Sequence, residues 1–373
     1  MEDAGGEQRW VMGPDGLRRL VDLLVERFDA VVGPVVAEGV VRLRSITSAD
    51  DLPVGVADDQ EPASYRLHAT ASALRFSYGP SLDSLKSIVH PPSTPVWTMR
   101  RRDGSLVAES ARHATNRTAI IGARACDVRA LAVLERTQTQ PHADPAFAAN
   151  RHGLFIVTVD CTVPPPTCFC DTAGGGGASK IGHDLALTEL DRPDGVTYVV
   201  RAGSDAGRSV VESLGLEPAD SALARVADLD VAEAMEDLVR QLPADAREAV
   251  LISDHPRWAD VADRCLTCGN CTAVCPTCFC TDMVDDVSLD GATATRTRVW
   301  DTCFSLEYSH LGPGPHRGSP AARYRQWLSH KLGTWHEQFG SSGCVGCGRC
   351  ITWCPVGIDL TAEVAAIRET PSP

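Results

Sequence analysis

Residues 265–276 read CLTCGNCTAVCP, and residues 344–355 read CVGCGRCITWCP. Both are C-x2-C-x2-C-x3-C-P, the ligand run of bacterial ferredoxins. Three thiolates spaced three residues apart let one loop wrap a cubane corner by corner. Backbone N–H groups can then point at the cluster sulfurs. Gly269, Gly346 and Gly348 allow the backbone to come that close, and the proline turns the chain after the fourth cysteine. In two-cluster proteins the fourth cysteine of each run serves the other cluster. Two [4Fe–4S] clusters are therefore expected. Cys265, Cys268, Cys271 and Cys354 hold one, and Cys344, Cys347, Cys350 and Cys275 hold the other. Structural zinc is the alternative, but zinc sites use paired C-x2-C knuckles rather than two such runs.

The connection from Cys275 to Cys344 is longer than in compact β-hairpin ferredoxins. It includes 323–339, where Tyr324, Trp327, Leu328, Leu332, Trp335 and Phe339 recur at helical spacing. A mainly helical two-cluster ferredoxin-like domain is expected over 251–373, with a last helix at 360–368 and a turn at 311–320.

Upstream, the pattern alternates. Residues 17–30 carry Leu17, Leu20, Leu23, Leu24 and Phe28 on one helical face. Residues 31–45 are β-branched, and 47–65 are polar with proline and read as an exposed loop. The segments 118–122 and 154–159 read as buried strands, with a helix at 127–136 between them. A strand pair is expected over 184–201 about the Asp194–Gly195 turn, and helices at 207–216 and 229–242. The expected architecture is α+β multidomain: an N-terminal α/β domain over 1–250, then the cluster domain.

The chain has 373 residues, enough for two or three domains, and a formal net charge of −14. Phosphate would repel it, so neither nucleic acid nor an anionic membrane is an expected partner, whereas basic protein surfaces are. Met1–Glu7 has no basic or apolar leader character, and no apolar run nears the ~20 residues of a membrane span. A cytoplasmic location is expected. Fifteen cysteines there read as metal ligands rather than disulfides.

Seven cysteines lie outside the two runs: Cys126, Cys161, Cys168, Cys170, Cys278, Cys280 and Cys303. Cys126 and Cys161 follow predicted strand ends, so with Cys168 and Cys170 they form a possible third metal centre. The alternative is buried small apolar side chains or loop thiols. The pentapeptide PTCFC occurs twice, at 166–170 and 276–280. No G-x-G-x-x-G or G-x-x-x-x-G-K-[ST] is present, and Gly174–Gly177 reads as a flexible loop rather than a phosphate cradle. His330 and His336 read as helix-surface or core residues. No catalytic residue is recognised, and the expected role is electron conduction.

Further stretches carry a family resemblance: GARACD at 122–127, DC at 160–161 with TCFC at 167–170, and GHDL at 182–185. CPTCFC at 275–280, RVWDTC at 298–303, HK at 330–331 and CVGCGRC at 344–350 continue it. The chain resembles the β subunits of soluble NADP-linked nickel–iron hydrogenases (sulfhydrogenases), to which an iron–sulfur component of anaerobic sulfite reductase is related. That resemblance implies a heteromeric cytoplasmic complex with a flavin- and NAD(P)-binding subunit on one side. At the other end stand nickel–iron hydrogenase small and large subunits or, alternatively, a sirohaem sulfite reductase subunit. A free-standing ferredoxin-like carrier is the remaining reading.

Overall fold

The structure is a computed structural model that describes residues 8–111, 113 and 115–369. Met1–Glu7, on which the absence of a leader was read, lies outside them. The strands are, in order, β1 (Arg9–Met12), β2 (Ala30–Ala37), β3 (Val40–Ser45), β4 (Val56–Glu61), β5 (Ser64–Ala69), β6 (Ser93–Arg102) and β7 (Ser105–Ser110). They continue with β8 (Thr118–Ala123), β9 (Leu154–Val159), β10 (Leu185–Arg192), β11 (Gly195–Ala202), β12 (Glu217–Pro218), β13 (Thr281–Val287) and β14 (Thr293–Trp300).

An eight-stranded mixed sheet organises the N-terminal part, in the order β12-β1-β11-β10-β9-β8-β2-β3. Its centre, β2-β8-β9-β10, is parallel. Such strands are buried on both faces, which explains their continuous apolar runs. Side chains alternate across the sheet. Ala119, Ile121, Val157 and Val159 pack with Leu17, Leu20 and Leu24 of the helix Pro14–Arg27. Ile120 and Ile156 pack on the opposite face with Leu131 and Leu134 of the helix Ala125–Gln138. The expected strand pair is the antiparallel β10–β11, closed at Arg192↔Gly195.

Two readings are corrected. Residues 47–65 are not a plain loop: β4 and β5 form a two-stranded ribbon there. Its side chains are half-buried except for Asp59, Glu61, Arg66, His68 and Ala69, which are exposed, and Gln60, which is buried. The predicted helix 229–242 is the helix Ser221–Glu236, started by the Asp220 carboxylate accepting from the Leu223 N–H at 2.7 Å.

The cluster segment, expected to be mainly helical, is built of both strands and helices. Its strands β13 and β14 join β6 and β7 in a four-stranded sheet, order β13-β14-β6-β7. Helices Arg257–Ala262, Pro320–Ser329 and Leu360–Glu369 build a second core around Trp258, Tyr324, Trp327, Leu328 and Val364, and Trp335 packs separately with Cys126, Val133 and Val345. Between Ser329 and Trp335 the helix widens into a π turn, His330–Thr334.

Candidate metal centres

The two runs take nearly the same local path. Each opens with a backbone N–H donated back to its first thiol, Thr267 to Cys265 Sγ and Gly346 to Cys344 Sγ, both at 3.4 Å. Both donors are left-handed, φ +51° at Thr267 and +68° at Gly346. Gly269 and Gly348 are left-handed too, at +72° and +71°. The conformation that wraps a cubane is thus built in twice.

Cys265, Cys268 and Cys271 line one apolar cavity, and Cys350 and Cys354 of the other run line it too. Phe304, Tyr324 and Trp327 complete its walls. Cys354 Sγ accepts from the Ile358 N–H at 3.3 Å. Burial raises the Cys265 and Cys271 pKa values. Cys268 is exposed, and the adjoining Leu266 is 62% exposed, so this cavity lies at the surface.

Cys275 stands beside the start of the second run. Thr277 Oγ1 lies 3.2 Å from Cys275 Sγ and donates to the Gly343 carbonyl at 2.8 Å. Lys331 Nζ reaches Cys275 Sγ at 3.2 Å and Thr277 Oγ1 at 2.9 Å. A hydrogen bond from Cys278 and then the Lys331 charge hold the Cys275 thiol well below its usual pKa. Cys344 is pushed up to about 11, and Cys347 and Cys350 are also raised, burial being the main cause for all three.

The parallel sheet delivers the upstream cysteines to one place. β8 and β9 are neighbours, so Cys126 and Cys161, just past their C-terminal ends, emerge on the same edge. The loop 162–177 brings back Cys168 and Cys170. It is packed down: the Cys161 N–H donates to Gly177 O at 2.9 Å and the Gly175 N–H to Cys170 O at 2.8 Å. The four-glycine run read as a loose loop is this cover, and a Cβ on Gly175 would collide with the Arg129 guanidinium. Burial raises all four thiols, Cys170 to about 12. A buried ion pair, Arg349–Asp127 at 2.8 Å, ties this set to the second run, and Asp160 pairs with Arg201 at 2.8 Å behind Cys161.

The set of Cys265, Cys268, Cys271 and Cys354 is sulfur-only and lines a cavity rather than converging on a point. Among the described residues no three His, Cys, Asp or Glu side chains close on a single ion, as a zinc site requires. The residues fit cubanes. Sequence reasoning missed the grouping of Cys278, Cys280 and Cys303, although the repeated PTCFC marked two of them. It also missed Lys331 as a partner of Cys275.

These features define an iron–sulfur protein of the dicluster class. The family profile of the 4Fe-4S dicluster domain matches residues 264–358, and the chain carries two [4Fe–4S] clusters. The sulfhydrogenase 2 β subunit of Pyrococcus furiosus is 30% identical over 256 residues, 67% of this chain and 74% of that protein. The chain belongs to the sulfhydrogenase β-subunit family, and its work is iron–sulfur electron transfer. Among the described residues no helix is long and apolar enough to cross a membrane.

Proposed function

We propose that this chain is the electron relay of a multisubunit cytoplasmic hydrogenase, with the fourth cysteines of its two runs exchanged. Cys265, Cys268, Cys271 and Cys354 hold one cluster, and Cys344, Cys347, Cys350 and Cys275 the other. The observation that carries this reading is Cys354, which lines the same cavity as Cys265, Cys268 and Cys271 although it lies at the far end of the other run. Exchange of this kind makes the clusters neighbours. When bound, each supplies a one-electron acceptor and donor. The protein's own residues set the surroundings: Lys331 faces Cys275, backbone N–H groups face Cys265, Cys344 and Cys354, and aromatic walls exclude water.

Cys126, Cys161, Cys168 and Cys170 hold a third cluster in this proposal. Their support is the common edge of β8 and β9 and the proximity of the set to the second run through Arg349–Asp127. The chain divides at about residue 250 into the sheet domain and the cluster domain. The proposed partners are a flavin- and NAD(P)-binding subunit, together with nickel–iron hydrogenase small and large subunits. The exposed Cys268–Leu266 region is a port for one of them.

Co-purification of the untagged complex tests the reading. Hydrogenase subunits in the complex, and hydrogen-dependent NADP reduction lost in Cys268→Ser while hydrogen–dye activity persists, are the expected result. A sirohaem subunit in their place would redirect the proposal to sulfite reduction. NAD(P)H turnover by the purified chain alone, at the rate of the complex, would overturn the relay.

A further inference from the structure

Three cysteines belong to neither run nor to the set at the sheet edge: Cys278, Cys280 and Cys303. The fold brings them together by hairpin register. Cys280 immediately precedes β13, and Cys303 lies three residues past the end of β14. β13 and β14 pair antiparallel with Thr281 opposite Trp300, and the Asp301 N–H donates to Cys280 O at 2.9 Å. The two cysteines are therefore held at the same end of the ribbon. Cys278 is two residues upstream in the PTCFC pentapeptide.

All three line one cavity, and His330, Lys331 and Arg317 line it with them. The lining has two cationic side chains and no carboxylate. That is the charge balance a cluster bearing several thiolates needs, because buried negative charge is costly without a counter-charge. The wall opposite the thiols is the π turn His330–Thr334. π turns inside helices are frequent at functional sites. Here the π turn carries His330 and Lys331, both of which line the cavity. The His330 ring is packed on Trp335, with centroids 5.0 Å apart. Trp327 is shared with the cavity of Cys265, Cys268 and Cys271, and Lys331 Nζ touches Cys275 Sγ at 3.2 Å. The cavity thus borders the thiol sets of both runs.

We propose that this cavity holds a further [4Fe–4S] cluster, on the thiolates of Cys278, Cys280 and Cys303 with the His330 imidazole at the fourth iron. The two copies of PTCFC then do the same work, each supplying two thiolates to a cluster outside the ferredoxin runs. Redox at this site is one electron in and one out through the neighbouring clusters.

The test is made on the full chain, purified anaerobically. The double variant Cys280→Ala/Cys303→Ala is expected to lose about four iron and four acid-labile sulfide per chain. The electron paramagnetic resonance signals of the two run clusters are expected to persist. An iron-edge anomalous map of the wild-type protein supplies the answer even where the variant fails to fold. Iron in contact with the three sulfurs and the imidazole is the expected result. A cavity without iron overturns the proposal, and so does an iron content unchanged by the double variant, including the case where Cys280 and Cys303 titrate as a dithiol. The assignment of the run cysteines stands apart from this outcome, because it is read from Cys275→Ser and Cys354→Ser.

Discussion

The runs 265–275 and 344–354 share their cysteine spacing and their left-handed turns, yet they sit in different surroundings. The first is bordered by solvent at Cys268 and Leu266. The second lies under another segment: a Cβ on Gly346 would come within 2.6 Å of Cys170 Cα and of Phe169 O, and one on Gly348 within 2.5 Å of Thr167 O. The fourth cysteines differ too. Cys354 receives a backbone N–H, whereas Cys275 receives the Lys331 ammonium. Spacing therefore encodes the kind of cluster, and packing decides whether it faces a partner or stands in the interior of a relay.

The largest expected effect comes from swapping the fourth cysteines. Cys275→Ser should remove or perturb the cluster of Cys344, Cys347 and Cys350, and Cys354→Ser that of Cys265, Cys268 and Cys271, because serine is a harder, poorer ligand for this iron. Iron analysis with resonance spectroscopy reads the outcome. Loss of the sequence-adjacent cluster in each variant would break the exchange.

Next is the ion pair that ties the second run to the sheet. Arg349 and Asp127 side chains are 1% and 4% exposed. Arg349→Met leaves the buried Asp127 carboxylate with only the Arg124 N–H as partner and should cost about 3–5 kcal/mol, while Arg349→Met with Asp127→Asn should recover part of it. Denaturant midpoints of the two variants decide this. An Arg349→Met protein as stable as the wild type would show that the tie does not hold the run.

A smaller contrast sets the same position of the two runs against each other. Gly346→Ala combines φ +68° with backbone neighbours that cannot rotate away, so it should destabilise by about 3 kcal/mol. Thr267→Gly relieves a left-handed β-branched residue at a site open to solvent. It should change stability by no more than about 1 kcal/mol. Equal effects in thermal unfolding would mean that the two surroundings are alike. Smallest in stability is Leu266→Ser, within about 0.5 kcal/mol for an exposed side chain. It should nevertheless slow electron exchange with the partner proposed to dock there, as stopped-flow reduction of the complex would show.

The cluster runs were legible because ligand chemistry constrains spacing, and the pair β10–β11 because a turn and two apolar runs are local signals. Cys126 and Cys161 could be grouped because adjacent parallel strands end at one edge. What sequence could not show is long-range pairing. β14 joins β6 across almost two hundred positions, with Thr295 opposite Thr98. Nothing in the composition of either strand names the other. The ribbon β4–β5 was hidden because it is rich in polar residues and many of its side chains are half-buried, which blurs the apolar–polar alternation that betrays a strand. The grouping of Cys278 and Cys280 with Cys303 depended on the register of β13–β14, which a sequence read one element at a time does not supply.

The close packing of Gly346 and Gly348 against Thr167–Cys170 also orders events in time. A ribosome releases a chain from its N-terminus at about 5–20 residues per second, and domains usually begin to fold as they emerge. Here the segment Thr167–Cys170 meets the second run only after residue 348 has been made, and the cavity begun by Cys265 waits for Cys354. Because ligand binding and folding of metal sites are coupled, iron delivered during synthesis would meet open, half-built loops. The maturation machinery of the cell should therefore recognise the finished polypeptide, and truncation after residue 340 should leave even the upstream cysteines unable to retain iron.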